Sequence, residues 1–133
     1  MSDVAYAAAS EMGNEMLPGL GISVSKVDMS DLEAVAAAIR PNTRLVYLET
    51  PCNPILRLTD IAAVAKLAHA AGALVAVDST FATPLSTRPI ELGADFVIHS
   101  LTKYLCGHGD AIGGALLGPA ALLDKLRQQV AIR

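Results

Sequence analysis

Nine polar residues, Glu49, Thr50, Asn53, Asp78, Ser79, Thr80, Ser100, Thr102 and Lys103, all follow short apolar runs. Open parallel sheets bind ligands outside the carboxyl ends of their strands, so these positions suit chemistry. Strand ends are also where polar loops begin, and any single one has an equal claim to that plainer role. The joint pattern is the signal, and Lys103 stands out within it. An amine attacks an aldehyde only after losing its proton, which an enclosed, partly desolvated site promotes. Of the four lysines, Lys66 and Lys125 fall on polar helix faces and Lys26 on an edge strand, so all three read as solvated. Lys103 follows FVIHS and precedes the glycine-rich GHGDAIGG. Imine chemistry on a pyridine ring also needs a carboxylate. Paired with the ring nitrogen, it keeps that nitrogen protonated, and the ring can absorb the electrons of a carbanion. Asp78, at the end of LVAV, is placed for that task or for capping the following turn. Ser100 and Thr102 offer hydroxyls beside Lys103, suited to a phosphate, to orienting the amine, or to local capping.

The elements that must position these groups alternate β-branched runs with alanine-rich stretches, the pattern of a parallel sheet with crossover helices. Residues 21–28 alternate apolar and polar and predict a strand. Ser30 is expected to cap a helix, with Glu33 completing a capping box, and that helix ends before Pro41. The apolar run 45–48 predicts a strand buried on both faces. Thr59 is the expected cap of a helix over 60–71, in which Ile61, Val64, Ala65 and Ala68 keep helical spacing and Gly72 supplies the stop. Runs 74–77, 96–98 and 113–117 predict three more strands. Pro119 opens a last helix, to residue 130. Few residues precede the first strand and the last helix reaches the end, so the chain is expected to be part of something larger.

A composition 53% hydrophobic and 17% charged excludes a disordered chain. The 133 residues suffice for about one domain. A net charge of −3, with no basic run and no aromatic platform, argues against nucleic-acid or polybasic membrane binding. The apolar stretches 61–65 and 70–77 are far too short to span a bilayer. The start MSDVAYAAAS has an acid where a secretory signal has bases. The chain reads as cytoplasmic, with Cys52 and Cys106 as reduced thiols whose spacing matches no metal motif.

The segments ETPCNP (49–54), AVDSTFATP (76–84), ELGADFVIHSLTKYLCGHGD (91–110) and GGALLG (113–118) resemble the Cys/Met-metabolism, or trans-sulfuration, family of pyridoxal-phosphate enzymes. That family includes methionine γ-lyase, cystathionine γ-lyase, cystathionine γ-synthase and the homoserine sulfhydrylases. The resemblance covers most of the chain from about Gly21. It implies an α/β fold, part of the large domain of a fold-type I (aspartate-aminotransferase-like) enzyme, with a mostly parallel sheet and flanking helices. It implies pyridoxal 5'-phosphate as cofactor, Lys103 as the Schiff-base lysine and Asp78 as the pyridinium partner. Ser100 and Thr102 match the phosphate hydroxyls. Asn53 matches the asparagine near the phenolic oxygen and the substrate carboxylate, and Thr80 lies against the ring or near Asp78. Tyr6 is in register with the family's stacking tyrosine, which would also protonate the leaving thiol. Three alanines follow it here in place of a glycine and a small residue, so Tyr6 also reads as an apolar helix residue. Ser79 stands where the family usually has asparagine.

The implied activity is a C–S lyase reaction, γ-elimination from a small sulfur amino acid. γ-Replacement by a synthase or sulfhydrylase shares every residue named, and GHGD leans toward the lyase and synthase branches. Family chains continue beyond both ends, with a phosphate-holding helix start, residues lent to a neighbouring subunit, and a small domain carrying the arginine for the substrate carboxylate. Residues 1–133 are therefore expected to be an incomplete large domain with apolar cut surfaces. Arg127 and Arg133 do not replace that arginine. A homo-oligomer, a tetramer built from dimers, is implied for the full-length protein. Readings of another class are a catalytically silent fragment and a nucleotide-binding domain with Asp78 on a ribose; no G-x-G-x-x-G follows a strand, which disfavours the second.

Overall fold

Three apolar runs form adjacent parallel strands in the computed structural model, which describes residues 1–131. They are β1 (Leu45–Glu49), β2 (Leu74–Asp78) and β3 (Phe96–Ser100). β4 (Gly114–Leu117) pairs antiparallel with β3, and the order is β1-β2-β3-β4. The helices are α1 (Ala7–Glu11), continued by a wider turn over Met12–Met16 and by α2 (Leu17–Gly19), then α3 (Leu32–Ala38), α4 (Ile61–Ala70), α5 (Thr83–Ser86) and α6 (Ala120–Ala131). No helix among the described residues is long and apolar enough to cross a membrane.

Strand side chains alternate between faces. Val46, Leu48, Val75 and Val77 are buried against Val35 of α3 and against Ile61, Val64, Ala65 and Ala68 of α4. Each fully buried aliphatic side chain stabilises the fold by about 1.5–3 kcal/mol. The opposite face carries Tyr47 and Glu49 on β1 beside Ala76 and Asp78 on β2. This register brings two carboxylates side by side at the strand ends. Apolar surface also remains exposed, and Leu85 and Ile112 are each 96% accessible.

Several local expectations are corrected. Residues 21–28 do not form a strand. Val27 makes one isolated bridge to Ser2, with Asp3 N–H on Val27 O (2.9 Å) and Val27 N–H on Met1 O (3.0 Å). Its period-two pattern fits an extended backbone, but a ladder needs a neighbour, and residues 1–3 are a short one. Asp31, not Ser30, caps α3: its carboxylate accepts from Glu33 and Ala34 N–H, both at 3.0 Å. Ser30 is engaged elsewhere, its hydroxyl donating to Asp28 at 2.6 Å. Asp60, not Thr59, caps α4, accepting from Ala63 N–H at 2.9 Å. Thr59 N–H instead donates to the Thr50 hydroxyl at 3.0 Å. β1 is not buried on both faces, since Leu45 is 50% exposed. Gly72 does end the α4 segment, at φ +75°, a conformation glycine adopts without steric cost.

Candidate active site

β2 and β3 deliver Asp78 and Ser100 to the same edge of the sheet. Asp78 Oδ1 accepts the Thr80 N–H at 3.0 Å, so one carboxylate oxygen shapes the local turn, and the Tyr47 phenol lies beside the carboxylate on the same face. Ser79 N–H still follows the parallel ladder, donating to Ile98 O at 3.0 Å. The next rung of a parallel ladder would run from Ser100 N–H to the backbone of β2. The Thr80 hydroxyl takes it instead, accepting Ser100 N–H at 2.9 Å. Thr80 thus splices the two strand ends, joining the Asp78 turn to Ser100.

Lys103 follows in a single wide turn, Leu101–Leu105, in which its own backbone is not helical (φ −95°, ψ −126°). Ser100 precedes this turn, but its hydroxyl does not cap it. Phe81 and Tyr104 touch edge to face, with ring centroids 5.9 Å apart, and so join the loop after Asp78 to the Lys103 turn. The expectation of an enclosed lysine is not met within the described residues. Lys103 is exposed, because its turn extends past the strand ends that α3 and α4 cover. The ion pairs among the described residues use Arg57, His69, Arg88 and Arg127, and none uses Lys103. Thr102 is committed twice to Gly113: its hydroxyl donates to Gly113 O (3.2 Å) and accepts Gly113 N–H (3.0 Å). A hydroxyl has one proton, so Thr102 closes the Gly107–Gly113 loop with it.

Glu49 belongs to the strand-end polar set, but the sequence assigned it no role of its own. It is 6% exposed. One oxygen accepts Tyr6 N–H at 2.7 Å and the other accepts Asn53 N–H at 2.8 Å. Burial pushes its carboxyl above the usual carboxylate value. The two N–H groups pull it back, and the neighbouring Asp78 charge adds to the rise. Tyr47 stays protonated on the same face, because burial and then the charges of Asp78 and Glu49 push its phenol up. An acid ending an otherwise apolar buried run was the available signal; its partners depend on strand register.

Tyr6 sits just before α1 rather than inside it, and is 53% exposed. Asn53 lies in the loop after β1, a segment with cis bonds at Thr50–Pro51 and Asn53–Pro54. Asp78, Thr80 and Ser100 therefore form one connected unit, with Lys103 three residues further along the chain, and Glu49 ties Tyr6 and Asn53 to its neighbouring strand. Ser79 Oγ and His99 Nδ1, on the covered face, are buried and unpartnered among the described residues. An open hollow of about 320 Å³ beside the Lys103 turn is lined by apolar residues including Leu101, Leu105 and Ile112, and by none of the polar site residues. Arg127 is exposed and pairs with Asp124 at 3.1 Å; Arg133 lies outside the described residues.

The set offers a carboxylate and a hydroxyl that caps nothing on neighbouring strand ends, and an exposed amine in the turn that follows. That suits an electrophilic carbonyl cofactor with a basic ring nitrogen and an anionic group. Comparison with known proteins agrees. L-methionine gamma-lyase from Pseudomonas putida is 52% identical over 109 residues, 82% of this chain and 27% of that protein. Canavanine gamma-lyase from Pseudomonas canavaninivorans is 44% identical over 99% of this chain and 33% of its own length. The crystal structure of cystathionine gamma-lyase from Lactobacillus plantarum, complexed with L-serine, matches with a TM-score of 0.89 and 44% identity, over 93% of this chain and 32% of that one. The chain thus spans about a third of the length of the relatives it matches. The family described as Cys/Met metabolism PLP-dependent enzyme matches residues 1–131, and the chain belongs to that pyridoxal-phosphate-dependent family.

Proposed function

We propose that this chain is the cofactor-binding core of a lyase that removes the γ-substituent of a sulfur amino acid. The observation that carries the reading is the wired unit at the sheet edge: Asp78 bonded to Thr80 at 3.0 Å, Thr80 to Ser100 at 2.9 Å, and Lys103 three residues on. These residues fit pyridoxal phosphate. The Asp78 carboxylate would pair with the ring nitrogen, the Ser100 hydroxyl would donate to the phosphate, and the Lys103 amine would hold the aldehyde carbon. Thr102 could donate to the phosphate only by releasing Gly113 O, so Ser100 is the better-placed donor of the two. Asn53 and Tyr6 flank this unit through Glu49.

When bound, the cofactor supplies an electron sink for carbanion chemistry. The residues do the rest. Asp78 holds the positive charge at the ring nitrogen. The Lys103 amine would serve as the base that accepts the α-proton and passes it on. The Asn53 amide orients the substrate carboxylate. The Tyr6 ring covers the site, and its phenol gives a proton to the leaving thiol. Thr80 keeps Ser100 and the following turn at a fixed spacing from Asp78. A homo-oligomeric state, a tetramer built from dimers, belongs to the same proposal for the full-length protein, supported by the exposed apolar side chains such as Leu85 and Ile112.

Product analysis tests the reaction. Release of a 2-oxo acid and ammonia from methionine or cystathionine, without added thiol, is the expected result. Strict dependence on an activated homoserine and a thiol donor would replace elimination by γ-replacement. The relative named for canavanine is a reason to include that amino acid; turnover of canavanine alone would overturn the sulfur assignment. No protein-bound cofactor absorbance after saturation with pyridoxal phosphate and removal of the excess would leave the silent-fragment reading in its place.

A further inference from the structure

We infer that Glu49 is a positioning residue that sets Tyr6 and Asn53 around the site by giving each backbone N–H one oxygen of a single buried carboxylate. This rests on the roles proposed for Tyr6 and Asn53. The two donors lie 43 and 4 residues from Glu49 in sequence, so the carboxylate joins the start of α1, the end of β1 and the loop after it. The bonds, 2.7 and 2.8 Å, have the length expected when the acceptor is charged. Glu49 is the acceptor recorded for both N–H groups. Among neutral replacements, glutamine offers one carbonyl oxygen and turns an NH2 toward the second donor. Both oxygens of Glu49 are occupied by the backbone, so it is not the group that touches substrate or cofactor.

Its surroundings sharpen that division. Asp78 faces Glu49 from β2 in register, and Tyr47 shares its face of β1. Two adjacent carboxylates repel unless one is otherwise satisfied. The Tyr6 and Asn53 N–H groups satisfy Glu49, while Asp78 is bonded to the Thr80 N–H. The same carboxyl is held above its usual range by burial, and a proton on it would loosen both flanking residues together.

The test is amide NMR on the full chain with and without pyridoxal phosphate, for the wild type, Glu49→Gln and Glu49→Asp. In the wild type the Tyr6 and Asn53 amide shifts should titrate together, with one midpoint, in the absence of cofactor. In Glu49→Gln that shared titration should vanish, and hydrogen exchange of at least one of the two amides should quicken by roughly tenfold or more, as loss of a bond to a charged acceptor requires. Glu49→Asp should keep a shared titration with weaker protection. On turnover, Glu49→Gln should raise KM and lower kcat while Lys103 still attaches cofactor. Unchanged Tyr6 and Asn53 amides in a folded Glu49→Gln variant, or separate midpoints in the wild type, would overturn the inference. The wild-type titration decides the matter if neither variant folds. Failure of Lys103 to attach cofactor would sink the proposed function and leave the amide result standing.

Discussion

Thr80→Val removes one oxygen from the site unit and nearly preserves shape. The oxygen lost is the acceptor for Ser100 N–H at 2.9 Å. A buried donor left without a partner costs about 1–3 kcal/mol. Thr80 and Ser100 are half-buried, so water recovers part of that and the low end, about 1 kcal/mol, applies. With a urea m-value of roughly 2 kcal/mol/M for a small domain, the unfolding midpoint should fall by about 0.5 M at unchanged m. Thr80→Ser keeps the oxygen and should recover most of the loss. Ser100 is bonded to Thr80 and Lys103 lies three residues beyond it, so Thr80→Val should also weaken cofactor binding more than its small stability loss explains. Wild-type stability and cofactor affinity in Thr80→Val, with an unchanged Ser100 amide signal, would refute the splice.

The two aspartate caps and the Asp28 turn give further tests. Asp60→Ala should cost about 1 kcal/mol in urea denaturation, as loss of an N-cap does, and Thr59→Ala clearly less; the reverse order would restore Thr59 as the cap. Asp28 is held below the usual carboxylate range first by the Ser30 hydroxyl, then by Ser30 N–H and the Arg57 charge. Its stabilising effect is therefore present above about pH 3.8 and lost as pH falls through its lowered value. Ser30→Ala should move the Asp28 titration, read by NMR, upward; an unmoved titration would remove Ser30 as the cause. Glu49 has the opposite sign. Its raised value means that the folded state holds the proton longer, so its contribution falls as pH rises from about 4.5. Glu49→Gln should flatten that part of the stability profile.

The strands were legible because β1, β2 and β3 are short apolar runs with one face fully covered, a pattern that survives without knowledge of the partner. Residues 21–28 carry an equally regular alternation, yet make one bridge, since pairing depends on a neighbour and not on the pattern alone. The caps were read one residue early at both α3 and α4. A hydroxyl and the following aspartate each suit an N-cap, and the hydroxyl of Ser30 and the N–H of Thr59 turned out to serve Asp28 and Thr50. The places of Asp78 at the end of β2 and of Lys103 in the turn after β3 were legible from the apolar runs before them. The commitment of Thr102 to Gly113 and of Glu49 to Tyr6 was not, because each depends on backbone donors brought close only by the folded loops. Those two findings change the account most: Thr102 closes a loop, and an acid with no role read from its pattern joins three segments.

The central claim is that Lys103, alone among the four lysines, holds the cofactor. Reduction of the chain with borohydride in the presence of pyridoxal phosphate, followed by digestion and peptide mass analysis, tests it most directly. The expected result is a single modified peptide carrying Lys103, absent in Lys103→Ala. Modification of Lys26, Lys66 or Lys125 in its place, or none at saturating cofactor, would contradict the account.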